Sequence, residues 1–289
     1  MPVSRSPLEP AVKKLESFGA IDAIAKPVAK QVRNVLNPGG GLKDVISGTW
    51  LGHALHPLMT DVVVGSFTSA TLLDLLGGDD EAAQKLIGVG IAAYAPTALT
   101  GVSDWADSEP VDDRVRRLGL IHANTNAIAL ALYVASLKAR RNGDTGRGKA
   151  LSLAGGGVLA VGGFLGGHLS FARGVGPNQT AYDEGPSDWT DAIAASDLEQ
   201  SEPKSVVVQD TPVMLMRHGD HFHAIHDRCS HRGCSLSDGE VTKEVVTCQC
   251  HGSQFSLRDG SVLRGPATSP QPAYDVRERE GRIELKLQS

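Results

Sequence analysis

All four cysteines of this 289-residue chain fall between positions 229 and 250, in two short loops that read CSHRGC and CQCHGS. Thiolate and imidazole groups are ligands for zinc and for iron–sulfur centres. Zinc fingers commonly place two cysteines in one loop and two histidines in another, whereas each loop here offers one of each as C-x-H and C-x-x-H. The pattern therefore predicts a metal centre, for which Cys229, His231, Cys248 and His251 are candidate ligands.

This arrangement, with 16 residues between His231 and Cys248, resembles the Rieske family. The resemblance covers about residues 188–288. It implies that Cys229 and Cys248 bind one iron of a [2Fe–2S] cluster, while His231 and His251 bind the other. Neutral imidazoles in place of two thiolates raise the reduction potential to roughly −150 to +300 mV. The imidazole protons also allow electron transfer to be coupled to proton transfer.

The same resemblance gives roles to the two remaining cysteines. Cys234 and Cys250 stand where the quinol-oxidising Rieske proteins carry a disulfide between the ligand loops, which Rieske ferredoxins and oxygenases usually lack. A bridge would staple the loops over the cluster and exclude water. The alternative is a pair of free structural thiols.

Further positions near the cluster also match that group. Ser253 corresponds to a serine whose hydroxyl donates to a bridging sulfide. Phe255 stands where the group has a tyrosine that donates to a ligand sulfur, so we expect a lower potential than in its highest members. Gly265 and Pro266 resemble the proline loop that shields the third side of the cluster, although Thr268 departs from the usual GPAP sequence.

Four apolar stretches precede this region, at about residues 55–77, 84–106, 118–138 and 149–172. Each has about the 20 residues that a helix needs to cross the hydrocarbon core of a bilayer. They are rich in small residues, which let membrane helices pack closely. We therefore expect a four-helix transmembrane bundle; a buried, soluble bundle is the alternative. The stretch GHALHPLMTDVVVGSFTSATLLDLLGG resembles a family of four-helix bacterial membrane proteins with no assigned activity.

Several polar residues of these stretches are expected at one end of the bundle. His53 and His56 open the first span, Asp104 closes the second, His122 opens the third and His168 closes the fourth. Ionisable residues in a membrane are costly, so their grouping suggests a site. A polar helix-packing cluster, haem ligation by two of the histidines, and a quinone site all remain open interpretations.

The remaining segments complete the organisation. Residues 1–52 contain basic amphipathic helices, which either lie on a membrane surface or pack on the protein. Residues 53–173 form the membrane bundle, 174–187 a linker rich in Pro and Gly, and 188–289 the Rieske domain. Short alternating apolar runs predict strands in this last part. The expected fold class is therefore α + β: a four-helix bundle followed by a mostly antiparallel β domain.

Charge adds little to the functional prediction. Residues 1–177 carry 17 Lys and Arg against 15 Asp and Glu, and the remainder 11 against 18, from totals of 28 and 33. Nothing is basic enough to indicate nucleic acid. The N-terminus lacks the apolar core of a signal peptide, and Lys and Arg near the spans do not settle the orientation. We expect a multi-pass protein of a bacterial-type inner membrane, with the Rieske domain on the cytoplasmic side.

Together these features predict a membrane-anchored electron carrier or oxidoreductase subunit rather than a stand-alone oxygenase. Its partners would be membrane lipid and a redox protein or quinone, with one [2Fe–2S] cluster in each chain. The alternative function is the ferredoxin component of an oxygenase or reductase system.

Overall fold

The computed structural model describes residues 8–36 and 41–288. The chain divides into two units, each built from two segments. Of the described residues, the first unit comprises 8–35 and 55–175, and the second comprises 36, 41–54 and 176–288. Residues 41–52, grouped in the sequence with the N-terminal helices, thus belong with the β domain, whereas the helices before them belong with the bundle.

The first unit is helical. Two helices, α1 (Glu9–Glu16) and α2 (Asp22–Val35), precede four long ones: α4 (Leu55–Leu76), α5 (Asp80–Ser108), α6 (Asp113–Arg141) and α7 (Thr145–Gly167). A π-helical turn, His168–Ala172, extends α7. Asp79, Asp112 and Asp144 cap α5, α6 and α7, since each side chain accepts a hydrogen bond from a backbone N–H of the first turn.

The four long helices form a ring in which α4 contacts α5 and α7, and α6 also contacts α5 and α7. All four are long and apolar enough to cross a membrane. Phe67 of α4 stacks on Tyr133 of α6, with ring centroids 4.0 Å apart. Near one end, the buried Arg140 guanidinium binds the Asp74 carboxylate at 2.6 Å. This pairing explains how a charged residue is accommodated in the first span.

Helices α1 and α2 pack on α5 and α6. Arg117 binds the Asp22 carboxylate at 2.7 Å, and Ala25 and Ala29 are buried. Large apolar side chains of α2 remain exposed on another face, among them Ile24 and Val35. The segment is therefore docked through one face and retains a second, apolar one. Pro27 is accommodated within α2.

The second unit contains two antiparallel sheets. A six-stranded sheet has the order β1-β10-β9-β4-β3-β2, and a four-stranded sheet has the order β5-β6-β7-β8. Their ranges are β1 Thr190–Ala194, β2 Lys204–Val208, β3 Thr211–His218, β4 His221–His226, β5 Glu240–Thr242, β6 Val245–Thr247, β7 Gln254–Ser256, β8 Val262–Arg264, β9 Ala273–Arg279 and β10 Arg282–Leu287.

Apolar side chains cover both faces of the larger sheet. On β3, Val213 and Leu215 join one core, whereas Met214 and Met216 join another together with Phe255 of the smaller sheet. Alternate residues of a strand point to opposite faces, so a strand with a core on each side reads as a continuous apolar run. This accounts for the run TPVMLM.

The second unit also contains elements from its N-terminal segment. These are a short helix, α3 (Gly41–Ser47), and the 3₁₀ turn Thr49–Leu51. Thr49 Oγ1 donates a hydrogen bond of 3.4 Å to the carbonyl of Ala267. A Cβ atom on Gly265 would lie within 2.9 Å of an Asp44 carboxylate oxygen. Residues 44–49 thus pack directly on the loop at residues 265–267.

Candidate metal centre

The two Cys- and His-bearing loops have the same backbone structure. In the first, the N–H of Cys229 donates to the Cys234 carbonyl at 2.8 Å, and the N–H of Gly233 donates to the Cys229 carbonyl at 2.8 Å. In the second, Cys248 and Gly252 make the equivalent bonds at 2.8 and 2.9 Å. Both glycines have positive φ, 79° and 76°. Because glycine adopts this region without a steric cost, its place four residues after each cysteine lets the loop close.

These loops bring the four candidate ligands to one place. The Cys229 and Cys248 side chains are 2% and 1% exposed and hydrogen-bond to each other. The His231 and His251 rings are half-buried, with centroids 5.0 Å apart and planes at 88°. The donor set is therefore two buried thiols and two outer imidazoles. It fits a [2Fe–2S] cluster with one iron held by sulfur and the other by nitrogen.

The two thiols differ in acidity. The hydrogen bond from Cys229 lowers the pKa of the Cys248 thiol to about 7. The same contact, together with burial, raises the pKa of the Cys229 thiol. Both thiols lie among buried apolar side chains, including Leu236, Val246 and Phe255. These side chains exclude water from the two sulfur atoms.

A disulfide joins Cys234 to Cys250. The sulfur atoms of both residues and of Cys248 all lie within 4.8 Å of one another. The bridge therefore links the two ligand loops directly beside one ligand thiol.

We expect this disulfide to be present in the purified, cluster-loaded protein. Mass spectrometry under non-reducing conditions should find no alkylatable Cys234 or Cys250. Because the bridge closes a loop of 16 residues, replacing both cysteines by serine should cost about 3 kcal/mol of stability and speed loss of the cluster. Two alkylatable thiols in the folded protein would contradict this prediction.

The loop at residues 265–267 is tied to the second ligand loop. The buried Ser253 hydroxyl accepts a hydrogen bond of 3.0 Å from the Ala267 N–H, which leaves its own proton free to be donated. The Arg264 guanidinium donates to the Gly252 carbonyl at 2.8 Å. The Gly265–Pro266 peptide bond is cis, and both residues are buried.

Phe255 is fully buried in the same apolar cluster as Cys229 and Cys248. Phe255→Tyr should therefore place a hydroxyl donor near the sulfur ligands. A new hydrogen bond favours the reduced, more negative cluster, so the potential should rise, by roughly 40 mV for a bond worth about 1 kcal/mol. An EPR-monitored redox titration of both proteins measures this. An unchanged or lower potential would mean that the side chain does not approach the cluster.

Sequence reasoning missed the residue that organises the first ligand loop. Asp227 is buried, and its carboxylate accepts hydrogen bonds from Ser205 Oγ at 2.8 Å, Ser235 Oγ at 3.0 Å, and Ser237 N and Oγ at 2.7 and 2.8 Å. These bonds fix both ends of the loop that carries Cys229 and His231. The signal was weak, because an aspartate two residues before a cysteine has many ordinary explanations.

A second residue that the sequence did not single out is His226, at the end of β4. His221 is exposed, but the His226 side chain is fully buried, with Nε2 3.2 Å from the Asp183 carboxylate. Thr211 also donates to this carboxylate. Asp183 lies in the segment predicted as a linker, so part of that segment is packed on the β domain.

The polar residues of the bundle occupy different environments. His56 contacts Thr97 and Thr100 of α5, and His122 contacts Gly162 of α7. His168 Nε2 instead lies 3.0 Å from the Glu16 carboxylate of α1. Asp104 is half-buried on α5, one turn beyond Gly101. His53, also singled out in the sequence, belongs to the second unit.

Glu16 is 6% exposed and binds both His168 and Arg173, the latter at 2.8 Å. Burial alone would raise its pKa, but the hydrogen bonds from Arg173 and His168 hold the pKa of this carboxyl below its usual value of 4.5. A depressed carboxyl pKa stabilises the folded state above that value, and the stabilisation disappears as the pH falls below it.

Docking of α1 should therefore weaken as the pH falls below about 4.5. Hydrogen exchange of the α1 amides in detergent-solubilised protein measures this. Glu16→Gln should show fast exchange already at neutral pH and no further acid step. Glu9→Gln, which removes a more exposed carboxylate of the same helix, serves as the control. Identical pH profiles for the two variants would show that Glu16 does not control docking.

The two loops are joined by a disulfide and bring two thiols and two imidazoles together. This arrangement defines a Rieske-type iron–sulfur domain, which follows four apolar helices in this chain. Residues 188–275 match the Rieske [2Fe–2S] domain family, and residues 52–179 match the DUF2231 family, described as a predicted membrane protein. The chain belongs to the Rieske [2Fe–2S] family and carries a DUF2231 domain. The Rieske domain is an electron-transfer module with a [2Fe–2S] cluster.

Several of the similar proteins are ferredoxins. The ferredoxin subunit of anthranilate 1,2-dioxygenase from Burkholderia cepacia is 31% identical over 35% of this chain and 94% of its own length. Ferredoxin CarAc from Metapseudomonas resinovorans is 33% identical over 33% of this chain and 90% of its own. The carbazole 1,9a-dioxygenase ferredoxin of Nocardioides aromaticivorans IC177, a solved structure, is 28% identical over 35% of this chain and 100% of its own, with a TM-score of 0.33.

Proposed function

We propose that this chain is a membrane-anchored one-electron carrier that takes electrons from quinol or another reduced carrier and passes them to a partner protein. The Cys234–Cys250 disulfide carries this proposal, because it staples the ligand loops in a chain that also has four helices long enough to cross a membrane. In this proposal residues 53–173 anchor the protein and residues 188–289 carry the electron.

The residues divide the work between holding the cluster and exchanging with a partner. When bound, the cluster supplies a one-electron couple at a potential of roughly −150 to +300 mV. Cys229 and Cys248 would hold it from within the apolar core. His231 and His251, which are half-buried, lie on the outer side, where their rings can pass a proton to or from solvent or a partner.

The disulfide and Ser253 support quinol as the donor, since both match the quinol-oxidising group of Rieske proteins. Ser253 is buried and linked to the loop at residues 265–267, with its proton free to be donated to the cluster. Both features favour a higher potential, because they exclude water and add a donor near the sulfur atoms.

A second candidate function is the ferredoxin component of an oxygenase or reductase system. The resemblance to the ferredoxin subunit of anthranilate 1,2-dioxygenase and to ferredoxin CarAc favours it. Such a protein would receive electrons from a soluble reductase, and neither Cys234 nor Cys250 would be needed for its activity.

Reduction kinetics distinguish the two functions. The full chain in lipid nanodiscs is mixed with a short-chain quinol, and cluster reduction is followed by its absorbance. We expect rapid reduction by quinol that slows when Cys234 and Cys250 are replaced by serine. Reduction only by a flavin reductase with NADH, unaffected by these substitutions, would favour the ferredoxin function and contradict the quinol one.

We place the Rieske domain on the cytoplasmic side, because the basic residues of α1 and α2 favour retention of the N-terminus there and an even number of spans returns the chain to the same side. A reporter fused to the C-terminus that is active only in the periplasm tests this placement.

A further inference from the structure

Two histidines of the helical bundle are held in the same way. His56 Nδ1 lies 3.1 Å from the Thr97 carbonyl and 3.0 Å from Thr100 Oγ1. His122 Nδ1 lies 2.9 Å from the Gly162 carbonyl. A carbonyl oxygen can only accept, so each neutral ring carries its proton on Nδ1. The lone pair of each imidazole is therefore left on Nε2.

Each ring also lies directly against the backbone of a neighbouring helix. A Cβ atom on Gly101 of α5 would come within 2.6 Å of the His56 ring, and one on Gly166 of α7 within 2.9 Å of the His122 ring. Any residue larger than glycine would displace these rings. The two imidazoles, both half-buried, are thus packed against neighbouring helices.

The two rings occupy the same depth on opposite helices. Because α4 and α6 each contact both α5 and α7, they lie diagonally across the ring of helices. Thr100, which contacts His56, is 8 residues before the end of α5, and His122 is 9 residues after the start of α6. At 1.5 Å per residue, both lie roughly 12 to 14 Å from the α5–α6 connection.

The other three polar candidates do not share this arrangement. His53 belongs to the second unit. The Nε2 atom of His168 is engaged with Glu16. Asp104 lies one turn nearer to the end of α5 than Gly101. The structure thus narrows the five residues grouped by sequence to one pair, His56 and His122.

We propose that His56 and His122 provide the two axial ligands of a haem within the helical bundle. Metal-binding histidines commonly donate their other ring N–H to a backbone carbonyl, as both do here. A bare zinc ion requires about four protein ligands, whereas haem iron already has four nitrogen ligands and needs two. A quinone carbonyl requires a hydrogen-bond donor, which Nε2 of this tautomer does not offer. The Asn126 amide nitrogen lies 3.2 Å from His122 Nε2 and donates to the His122 carbonyl at 3.1 Å, so this amide would have to move for Nε2 to bind iron.

The site gives the protein a second one-electron centre, independent of the cluster assignment. It is tested with the full chain, expressed in haem-replete cells, purified in detergent and then incubated with added haemin. We expect the absorption and EPR spectra of low-spin, bis-imidazole haem, with one haem per chain by the pyridine haemochrome assay. No bound haem after both treatments, or bound zinc or quinone in its place, would overturn the proposal.

Variants test which residues bind the iron. His56→Ala and His122→Ala should each lose the low-spin spectrum, while His168→Ala should retain it. His122→Met should retain haem with a changed spectrum and a higher potential, since methionine ligation raises the potential. The cluster signal and the helical circular dichroism show that each variant is folded. A wild-type haem spectrum in both alanine variants, or a folded His122→Met protein without haem, would contradict the assignment.

Discussion

Cys229→Ser, His231→Ala, Cys248→Ser and His251→Ala should each abolish the [2Fe–2S] cluster. The site brings together two buried thiols and two facing imidazoles. The two remaining cysteines are joined in a disulfide and cannot serve as substitutes. Loss of any one ligand should therefore leave an iron incompletely bound. We expect less than a tenth of the wild-type cluster content, measured by iron analysis and by the Rieske EPR signal.

Two nearby histidines provide matched controls. Both lie on β4, the strand that precedes the first ligand loop. His221 is exposed, and His223 Nε2 lies 3.7 Å from the Glu244 carboxylate. Replacing either by alanine should leave the cluster in place. Retention of the Rieske EPR signal in any of the four ligand variants would refute that ligand's assignment.

Asp227→Ala should have the second largest effect, although this residue binds no metal. Its buried carboxylate accepts four hydrogen bonds that hold the first ligand loop closed. Removing the carboxylate leaves three serine side chains and one backbone N–H without this acceptor. Hydrogen bonds to a charged group contribute about 1.5–3 kcal/mol each, though the sum is not additive. We expect a loss of roughly 3 kcal/mol in unfolding free energy and a partly occupied cluster.

The unfolding free energy and the cluster content of this variant are measured together. Asp238→Ala, which removes an exposed carboxylate from the same part of the chain, is the control and should resemble wild type. Asp227→Asn keeps one oxygen acceptor and should fall between the two. Wild-type cluster content and stability in Asp227→Ala would mean that the loop closes without this carboxylate.

The sequence predicts the architecture well where the physical constraint is strong. The apolar stretches predict α4 to α7, because a helix of about 20 apolar residues spans the hydrocarbon core and satisfies its own backbone hydrogen bonds there. The alternating runs predict β2, β3, β4, β6, β9 and β10. Strands β1, β5, β7 and β8 were not predicted. Three of these have only three residues, and unlike the equally short β6, which lies in the run EVVTC, they are not marked by an apolar run.

Contacts between distant parts of the chain escape sequence analysis. Nothing in the sequence around Asp44 and Thr49 indicates that this segment packs on Gly265 and Ala267. The carboxylate of Asp183 likewise meets His226 only in the folded domain. Such contacts depend on the conformations of loops, and a short polar segment is compatible with several turn types.

Contacts within the helical bundle could not be predicted from the sequence either. Span order places His56, His122 and His168 near the same end of the bundle, but it does not say which neighbour each ring meets. Successive residues on a helix are 100° apart, so the direction in which each histidine ring points depends on how the helices pack. The structure engages His168 with Glu16, and it tucks His56 and His122 against glycines.

A combined optical and EPR redox titration of the purified full chain tests the Rieske assignment and quinol oxidation together, since it reports the cluster and its potential in one experiment. We expect the EPR signal of a [2Fe–2S] cluster with mixed cysteine and histidine ligands. This signal should titrate as a one-electron couple between roughly −150 and +300 mV, in the upper part of that range, and reduction by quinol should produce it. Absence of the signal, or a cluster reduced only near the −400 mV typical of all-cysteine plant-type ferredoxins, would refute the assignment.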